Sequence, residues 1–363
     1  MPYMTNDTIF TLLNAINPYH WITWLRNRTF DYGIRESRSF ETPTICIGNI
    51  TVGGTGKTPH TEYLIELLQD DYRIAVLSRG YGRKSRGFVS ADNNTTARDI
   101  GDEPCQMANK FNKITVAVDE KRVRGIETLE RRPVPPQVIL LDDAFQHRHV
   151  KAGLNILLID RSRPVWNDTL LPIGRLRESA NGIKRADIII ITKCPSDIST
   201  SEQIEIEKRC AKYKNLPIFF STMQYGTPYP LFPQQSEGHM QISSGTDILL
   251  VTGIARPAPL KAEIERRGAQ VILKQYPDHH SFSDKEIADI ATAFSKINSN
   301  NKLIATTEKD ATRLKRHPAL PQEIKKHIYV IPIKVSILHN KENMFNQIIS
   351  DYVRKNQTDC RIP

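Results

Sequence analysis

One glycine-rich stretch decides the expected fold: Thr51-Val52-Gly53-Gly54-Thr55-Gly56-Lys57-Thr58. An apolar run at 44–47 precedes it, and apolar residues at helical spacing follow it at 63, 64, 67 and 68. A loop without bulky side chains lets backbone N–H groups surround phosphate oxygens, and the next helix points its positive end at the same charge. Lys57 would then reach the β- and γ-phosphates, and the Thr58 hydroxyl would hold Mg²⁺. The stretch therefore predicts a nucleoside-triphosphate P-loop, although Thr51 stands where the pattern opens with Gly.

Further apolar runs extend this unit into a sheet. In the first half they lie at 74–77, 114–117, 138–141, 156–159 and 188–191, and in the second half at 248–251, 271–273, 303–305 and 328–331. The runs are apolar throughout rather than alternating, which is typical of strands covered on both faces. We expect an α/β fold: a P-loop NTPase-type, mostly parallel sheet with helices on both faces, plus a second, smaller α/β domain.

Length and composition indicate the domain boundaries. A chain of 363 residues favours about two domains, and the segment from about 225 to 245 is rich in Pro, Gln, Ser and Gly, as linkers are. We expect an N-terminal amphipathic membrane-associating segment at 1–30, a P-loop core domain at 31–222 and a second α/β domain at 223–363. After about residue 300 the chain either stays in the second domain or returns to the core. The polar stretch from 79 to about 102 is too long for a plain connection and predicts a functional loop.

Charge and cysteine content restrict the partners and the compartment. The net charge of +10 favours anionic partners such as nucleotides, nucleic acid, acidic lipid surfaces or phosphorylated substrates. No recognised nucleic-acid-binding motif accompanies the dispersed charge, so no nucleic-acid partner is expected. The five cysteines include no C-x-x-C pair, which fits a reducing, cytoplasmic setting. No secretory signal pattern occurs, and no apolar run approaches the ~20 residues needed to span a bilayer.

The first 30 residues combine apolar, aromatic and basic side chains. Apolar residues at helical spacing within 9–16 are followed by Trp21 and Trp24, with Arg26 and Arg28 beyond them. This composition is typical of a helix that lies in a membrane interface. A terminal helix packed on the domain is the alternative, because Pro18 divides the pattern into two short pieces.

Two acidic motifs accompany the P-loop. Asp142 and Asp143 follow the apolar run at 138–141, where P-loop proteins place the carboxylate that holds the metal ion. A turn cap is the alternative, and which of the two would contact the ion is open. Asp102 precedes a helix-like segment with Pro104 in its first turn, so it either caps that helix or accepts a hydroxyl proton beside the γ-phosphate.

A histidine pair and several arginines complete the candidates. Adjacent His279 and His280 point in different directions on any regular element, so they form either a surface turn or a histidine that orients an acid. Arg79 and Arg83 alternate with glycines, and Arg177 lies in a second basic stretch. Forked guanidinium groups bind phosphate through two hydrogen bonds; a solvated charged face is the alternative.

Together these motifs resemble those of the tetraacyldisaccharide 4'-kinase (lipid A 4'-kinase) family. The matching stretches are GNITVGGTGKTP at 48–59, SRGYGR at 78–83, GDEP at 101–104, DDAFQH at 142–147, LPIGRLRE at 171–178, VTGIA at 251–255, PDHH at 277–280 and TTEKD at 306–310. Several motifs in one order are far more specific than a single P-loop. Thr51 agrees with this family's loop, whereas Ala144 stands where the family usually has Gly.

The resemblance implies a kinase that transfers the γ-phosphate of ATP, with Mg²⁺, to the 4'-hydroxyl of tetraacyldisaccharide 1-phosphate, forming lipid IVA in lipopolysaccharide biosynthesis. It implies a peripheral protein on the cytoplasmic face of the inner membrane, with an acylated disaccharide phosphate as its partner. It favours Asp102 as the base, His279 as the partner of that base, and Lys57 on the phosphates. The matched motifs also assign the metal to Thr58, Asp142, Asp143 and Glu103, and substrate contacts to Arg79, Arg83, Arg177, Glu178, Gln146 and His147.

The runner-up function is a P-loop GTPase or ATPase of the metallochaperone type, which hydrolyses rather than transfers. Thr192-Lys193 is similar to part of the guanine-reading Asn-Lys-x-Asp motif, but no Asn precedes the Lys and Pro195 stands in place of the Asp. A metal carrier should also have paired Cys or His ligands near the P-loop, and the sequence has none there.

Overall fold

The computed structural model of the protein describes residues 17–236, 242–278 and 280–357. The apolar residues at 9–16 and His279, both singled out in the sequence, therefore lie outside the described residues. None of the helices in these three ranges is both long and apolar enough to cross a membrane.

The strands of the described ranges form two sheets. Those before the middle of the chain are β1 (Thr44–Gly48), β2 (Ile74–Ser78), β3 (Val89–Ser90), β4 (Thr115–Val118), β5 (Val138–Asp142), β6 (Leu154–Asp160), β7 (Ile188–Thr192) and β8 (Ile218–Tyr225). Those after it are β9 (Tyr229–Pro230), β10 (Asp247–Thr252), β11 (Gln270–Gln275), β12 (Lys302–Thr307), β13 (Ile328–Ile331) and β14 (Ile333–Ile337).

The large sheet has nine strands in the described ranges, in the order β14-β8-β7-β6-β1-β5-β2-β4-β3. Its seven inner strands pair in parallel, whereas β3 and β14 at the two edges run antiparallel to their neighbours. Every residue of β1, β2, β5 and β7 is buried. The continuous apolar runs had predicted this burial on both faces of a parallel sheet.

Helices cover both faces of the large sheet. The described α-helices are α1 (Pro18–Asp31), α2 (Lys57–Leu68), α3 (Ala97–Ile100), α4 (Asp102–Lys110), α5 (Arg122–Glu130), α6 (Thr200–Ala211), α7 (Ala258–Arg266), α8 (Asp284–Ser295), α9 (Glu308–Leu314), α10 (Gln322–Lys325) and α11 (Glu342–Asn356), and 3-10 helices occur at Val165–Asn167 and Ala180–Arg185. Leu64 of α2 and Phe345 of α11 pack in one core cluster, whereas Ile126 of α5 and Ile206 of α6 pack in another. The predicted helix–sheet–helix layering is confirmed.

The small sheet has five strands in the described ranges, in the order β11-β10-β12-β13-β9, and only β9 is antiparallel. Ile287 and Phe294 of α8 pack on one face, and Leu260 and Ile264 of α7 pack on the other. The prediction of a second, smaller α/β unit is confirmed.

The chain leaves the large sheet after β8 and returns to it at β14. The boundary expected between 222 and 223 falls inside β8, because this strand continues to Tyr225. The Gly226 N–H donates to the Pro332 carbonyl at 2.9 Å, so the outgoing and returning segments lie side by side. After β14, Phe345 of α11 packs on Phe219 of β8 with 5.1 Å between ring centroids.

Candidate active site

The P-loop forms the turn between β1 and α2. Gly53 and Gly56 have φ angles of 104° and 90°, a region that glycine adopts without steric cost. A Cβ on Gly56 would also lie 2.1 Å from Met223 Cε. Gly56 occupies the N-cap position of α2 without a side-chain cap. The first N–H groups of α2 thus meet no competing side chain at this position, and phosphate oxygens accept from such groups in P-loops.

Neighbouring strand ends hold this loop in place. Asn49 Nδ2 donates to Thr55 Oγ1 at 2.8 Å, and Thr192 Oγ1 donates to the Thr55 carbonyl at 2.9 Å. The Val52 N–H donates to the Arg175 carbonyl at 2.8 Å. These protein–protein hydrogen bonds restrict the conformation of the loop, and a preorganised loop binds phosphate at a lower entropic cost.

His60, on the first turns of α2, supports the P-loop from below. Its Nδ1 lies 2.7 Å from the Gly56 carbonyl, and its Nε2 lies 2.9 Å from Ser221 Oγ. Burial lowers the pKa of His60 to about 4, so the ring is neutral near pH 7. A neutral ring that donates from Nδ1 and accepts at Nε2 satisfies both contacts at once.

Asp142 ends β5 beneath the P-loop and is buried. Thr61 Oγ1 donates to its Oδ1 at 3.3 Å, and Ser78 Oγ donates to its Oδ2 at 3.2 Å. Burial, and next the negative charge of Asp143, raises the pKa of Asp142 to about 6. The two carboxylates therefore repel each other in a dry environment.

Asp143 follows directly in a left-handed conformation, with φ 47°. Lys57 Nζ lies 3.6 Å from its Oδ2, and Arg177 Nη1 lies 3.1 Å from its Oδ1. Burial acts to raise the pKa of Asp143, but these two positive charges outweigh burial and lower it. The P-loop lysine, the second aspartate and a basic-motif arginine thus meet at one point. Across the described ranges, no group of three or more His, Cys, Asp or Glu is arranged to hold a metal ion.

Asp102 is the first residue of α4, and Gly101, with φ 89°, occupies the capping position. The interpretation of Asp102 as an N-cap is therefore wrong. Its carboxylate is buried and contacts Arg313 of α9, whose Nε donates to Oδ1 at 2.9 Å and whose Nη2 contacts Oδ2. The positive end of α4 also stabilises a negative charge at this position.

The charge of Glu103 of α4 contributes to the raised pKa of Asp142, so the Glu103 carboxylate lies close to the P-loop. On its other side, Lys309 Nζ of α9 lies 3.9 Å from Glu103 Oε1 and 2.8 Å from Asp278 Oδ1. Asp278, which immediately precedes His279, is thus connected through Lys309 to the start of α4. His279 itself lies outside the described residues.

His280, the other member of the pair, faces the small sheet. Its Nε2 lies 2.9 Å from Glu286 Oε1, and its ring stacks on Tyr276 with 4.9 Å between centroids. The described member of the pair, His280, is therefore used in contacts within the protein.

Two residues predicted to bind substrate belong to a buried network. Glu178 is 3% exposed, and both its oxygens lie 2.7 Å from Arg185 Nη2. Gln146 Nε2 donates to Glu178 Oε1 at 2.9 Å and to the Asn49 carbonyl at 2.6 Å. Asn27 Nδ2 of α1 donates to Glu178 at 3.3 Å. This geometry favours a supporting role, since these side chains connect α1 to the P-loop.

The remaining predicted substrate residues differ in exposure. The Arg83 side chain is 5% exposed and pairs with Glu120 at 2.5 Å, so its guanidinium is used within the protein. Arg79, at the end of β2, is exposed. His147 is half-buried; burial, then the positive charge of Arg122, lowers its pKa to about 4. Its ring is therefore neutral near pH 7.

Helix α1 docks beside the P-loop and leaves an apolar face uncovered. Tyr19 Oη donates to the Arg177 carbonyl at 2.9 Å, and Phe30 is buried. Four large apolar side chains of α1 are exposed by 44–66%: Trp21, Ile22, Trp24 and Leu25. The Arg28 guanidinium lies 5.5 Å from the Trp24 ring. One face of α1 thus packs on the protein, and another combines aromatic, apolar and basic groups at the surface.

The sequence analysis missed His60, Arg122 and Arg313. Arg122 is 2% exposed and donates to the carbonyls of Asp119 at 2.8 Å and Asp142 at 3.4 Å. Its burial beneath the aspartate pair depends on how α5 packs on the sheet, and no local pattern reveals that. Arg313 is 211 positions from its partner in the chain, so only the folded structure brings the two together.

Comparison with known proteins places this geometry in a family. The family model described as Tetraacyldisaccharide-1-P 4'-kinase matches residues 9–354. The chain is 51% identical to a tetraacyldisaccharide 4'-kinase of Bacteroides thetaiotaomicron over 93% of both chains. It is 43% identical to one of Flavobacterium johnsoniae, over 93% of this chain and 95% of the relative.

A solved structure shares the fold. It is LpxK from Aquifex aeolicus, described as an "apo" form in complex with ATP, with a TM-score of 0.71 and 24% identity. The match covers 96% of this chain and 100% of that one. The resemblance inferred from the ordered motifs is thereby confirmed: the chain belongs to the tetraacyldisaccharide-1-P 4'-kinase family.

Proposed function

We propose that this protein is an ATP-dependent kinase that phosphorylates the 4'-hydroxyl of tetraacyldisaccharide 1-phosphate. The product is lipid IVA, a precursor in lipopolysaccharide biosynthesis. One observation carries the proposal: Lys57 of the P-loop lies beside Asp143, in a chain whose relatives bear this name. Buried Asp102 begins α4, and the next residue, Glu103, is close enough for its charge to raise the pKa of Asp142. A hydrolysing GTPase or metallochaperone needs no such second carboxylate, and the family assignment disfavours it.

ATP binds with its phosphates on the loop at 51–58. Backbone N–H groups of this loop and of the first turn of α2 donate hydrogen bonds to the phosphate oxygens. Asp143 holds Lys57 Nζ 3.6 Å away, so the ammonium stays beside the loop that receives the β- and γ-phosphates. His60 keeps Gly56 in the conformation that this contact requires.

The donor set at this site fits Mg²⁺. Asp142, Asp143 and Thr58 offer hard oxygen donors, and a cation would relieve the repulsion that raises the pKa of buried Asp142. Mg²⁺ is commonly held by one or two carboxylates plus substrate phosphates, with Glu103 as a further candidate close by. When bound, the ion neutralises charge on the phosphate oxygens.

Asp102 acts as the general base. Its carboxylate takes the proton of the 4'-hydroxyl as that oxygen bonds to the γ-phosphorus, while the bond from phosphorus to the bridging oxygen breaks and ADP leaves. We assign His279 as its partner, since the preceding residue, Asp278, pairs with Lys309 of α9, whose Nζ lies 3.9 Å from Glu103 Oε1 at the start of α4.

For the acceptor we propose direct and supporting contacts. Exposed Arg79, partly exposed Arg177 and neutral His147 contact the sugar or its phosphate. Arg83, Glu178 and Gln146 act indirectly, because their polar atoms already bind protein groups.

The two sheets correspond to two domains. One contains 31–225 together with 333–357, and the other contains 226–332; α1 attaches to the first through Tyr19 and Asn27. Movement of the second domain onto the first would keep water from the γ-phosphate during transfer.

The protein rests on the cytoplasmic face of the inner membrane as a peripheral protein, through the exposed face of α1. Aromatic, apolar and arginine side chains on one helix suit a lipid interface.

Replacing Trp21 and Trp24 by Ser should reduce cosedimentation with anionic phospholipid vesicles by about tenfold or more. The control is Ile204→Ser, which removes an equally exposed apolar group from α6. Unchanged sedimentation of the double variant would contradict this attachment.

The kinase activity is tested by incubating the protein with γ-labelled ATP and tetraacyldisaccharide 1-phosphate. Label should appear in the lipid, and label found only in ATP or free phosphate would refute the proposal.

Asp102→Asn should lower kcat by roughly 100-fold or more with little change in KM for ATP. Asp99→Asn changes a nearby carboxylate that binds Thr96 and should keep normal turnover.

A further inference from the structure

Helix α9 begins inside the TTEKD motif and joins the two sheets. It follows β12 of the small sheet and contacts α4, which packs on β4 of the large sheet. Three of its side chains pair with charged residues of α4: Glu308 with Lys110, Lys309 with Glu103, and Arg313 with Asp102. The third pair involves the proposed catalytic base itself.

Three nitrogen atoms of the planar Arg313 guanidinium bind acceptors on two different segments of the chain. Its Nε donates to Asp102 Oδ1 at 2.9 Å and its Nη2 contacts Oδ2, while its Nη1 donates to the His280 carbonyl. The side chains of Arg313 and Asp102 are only 12% and 8% exposed. The guanidinium is therefore held in one orientation, and it fixes the distance between the Asp102 carboxylate and the His280 carbonyl.

We propose that Arg313 is a positioning residue for phosphoryl transfer, because it sets the orientation of the Asp102 carboxylate. Arg313 can do so only when the small sheet is docked on the large one. The inference rests on the proposed role of Asp102 as the base. Two hydrogen bonds from one planar guanidinium fix the plane of a carboxylate as well as its position. A base must lie within hydrogen-bond reach of the proton it takes, and an error of about 1 Å can cost a factor of about 100.

Arg316 provides a control that distinguishes orientation of Asp102 from simple attachment of the two sheets. Arg316 also reaches from the small-sheet side to the large-sheet side, where it donates to the carbonyls of Asn94 at 2.8 Å and Thr95 at 2.9 Å. Arg316 therefore contributes to the same contact but binds neutral groups away from Asp102. Loss of either arginine weakens the junction, whereas only loss of Arg313 releases the base.

The test compares steady-state kinetics of Arg313→Ala, Arg313→Lys and Arg316→Ala, with thermal unfolding of each. Arg313→Ala should lower kcat by roughly 100-fold while KM for ATP stays within about twofold. Arg313→Lys should lie between Ala and wild type, because an ammonium keeps the charge but loses the planar fork. Arg316→Ala should keep kcat within about twofold. Its melting temperature should fall less than that of Arg313→Ala, which removes one partner of a buried ion pair. Millimolar guanidinium chloride should restore turnover several-fold in Arg313→Ala and should not restore it in Asp102→Asn.

Equal kcat values for Arg313→Ala and Arg316→Ala would overturn the inference, and so would a fall in kcat that follows only the loss of folded protein. If Arg313→Ala does not fold, wild-type kcat in Arg313→Lys would overturn it. Failure of the base assignment is distinguishable, because Asp102→Asn would then retain turnover. Failure of the kinase proposal is distinguishable too, because the wild-type protein would transfer no label to lipid.

Discussion

Glu62 provides a pH-dependent test of how three helices meet. This carboxylate of α2 is 2% exposed, with Lys110 Nζ of α4 2.6 Å from its Oε2. Lys110 Nζ also lies 2.9 Å from Glu308 Oε1 of α9, and Gln106 Nε2 donates to Glu62 Oε1 at 2.7 Å. Two carboxylates thus share one ammonium group inside the junction between the two sheets.

The expected effect on stability follows from the pKa of this group. Burial raises the pKa of Glu62 to about 7; Lys110 opposes the rise and Glu308 adds to it. In the unfolded chain the pKa of a glutamate is about 4.3. Between these values the folded protein keeps a proton that the unfolded chain has released, so the contribution is complete below about pH 4 and is lost as pH rises to about 7. At about 1.4 kcal/mol for each pKa unit, the full loss is roughly 4 kcal/mol, of which roughly 3 kcal/mol falls between about pH 5 and about pH 8.

The assay is urea unfolding of wild type, Glu62→Gln and Glu66→Gln at about pH 5 and about pH 8. Glu62→Gln should show roughly 3 kcal/mol less decline in the free energy of unfolding between the two pH values, because an amide releases no proton. Glu66 is exposed on the same helix, so Glu66→Gln should behave as wild type. If Glu62→Gln declines as steeply as wild type, Glu62 is ionised in the folded state and the argument fails.

Three further changes test other parts of the structure. Gly48→Ala should cost about 1–3 kcal/mol in urea unfolding, because its Cβ would lie 2.6 Å from Phe145 Cβ; an unchanged midpoint would show that the strand end has room. Glu178→Ala should cost about 2–4 kcal/mol, since Arg185 loses its carboxylate partner; full stability would mean that Arg185 finds another. Lys57→Met should reduce label transfer to lipid by about 1,000-fold, and normal turnover would remove Lys57 from the phosphate site.

The sheet could be predicted from the sequence because its signals are local. Runs such as 188–191 are apolar at every position, and only a strand covered on both faces buries all of them. The P-loop is equally local: Gly53 and Gly56 take left-handed angles within the same short segment that supplies Lys57. The two aspartates meet the P-loop because the carboxyl ends of neighbouring parallel strands share one edge of the sheet.

The environment of the site residues could not be predicted in the same way. A motif groups residues that lie close in the chain, so it does not separate Arg177, which reaches Asp143, from Glu178, which turns inward to Arg185. Whether a side chain faces the ligand or the interior depends on packing between distant segments. The partner of Asp102 is an extreme case, since Arg313 lies 211 positions further along the chain and no local pattern marks it.

The place of β14 affects the order in which the protein is completed during synthesis. Strand β8 is made early, but its neighbour β14 is made only after the whole of 226–332 has been translated. Until then β8 presents unpaired N–H and C=O groups, and Phe219 lacks the cover of α11. A nascent chain that stops near residue 332 would carry an open sheet edge that invites aggregation, so assistance by chaperones should matter most at this stage.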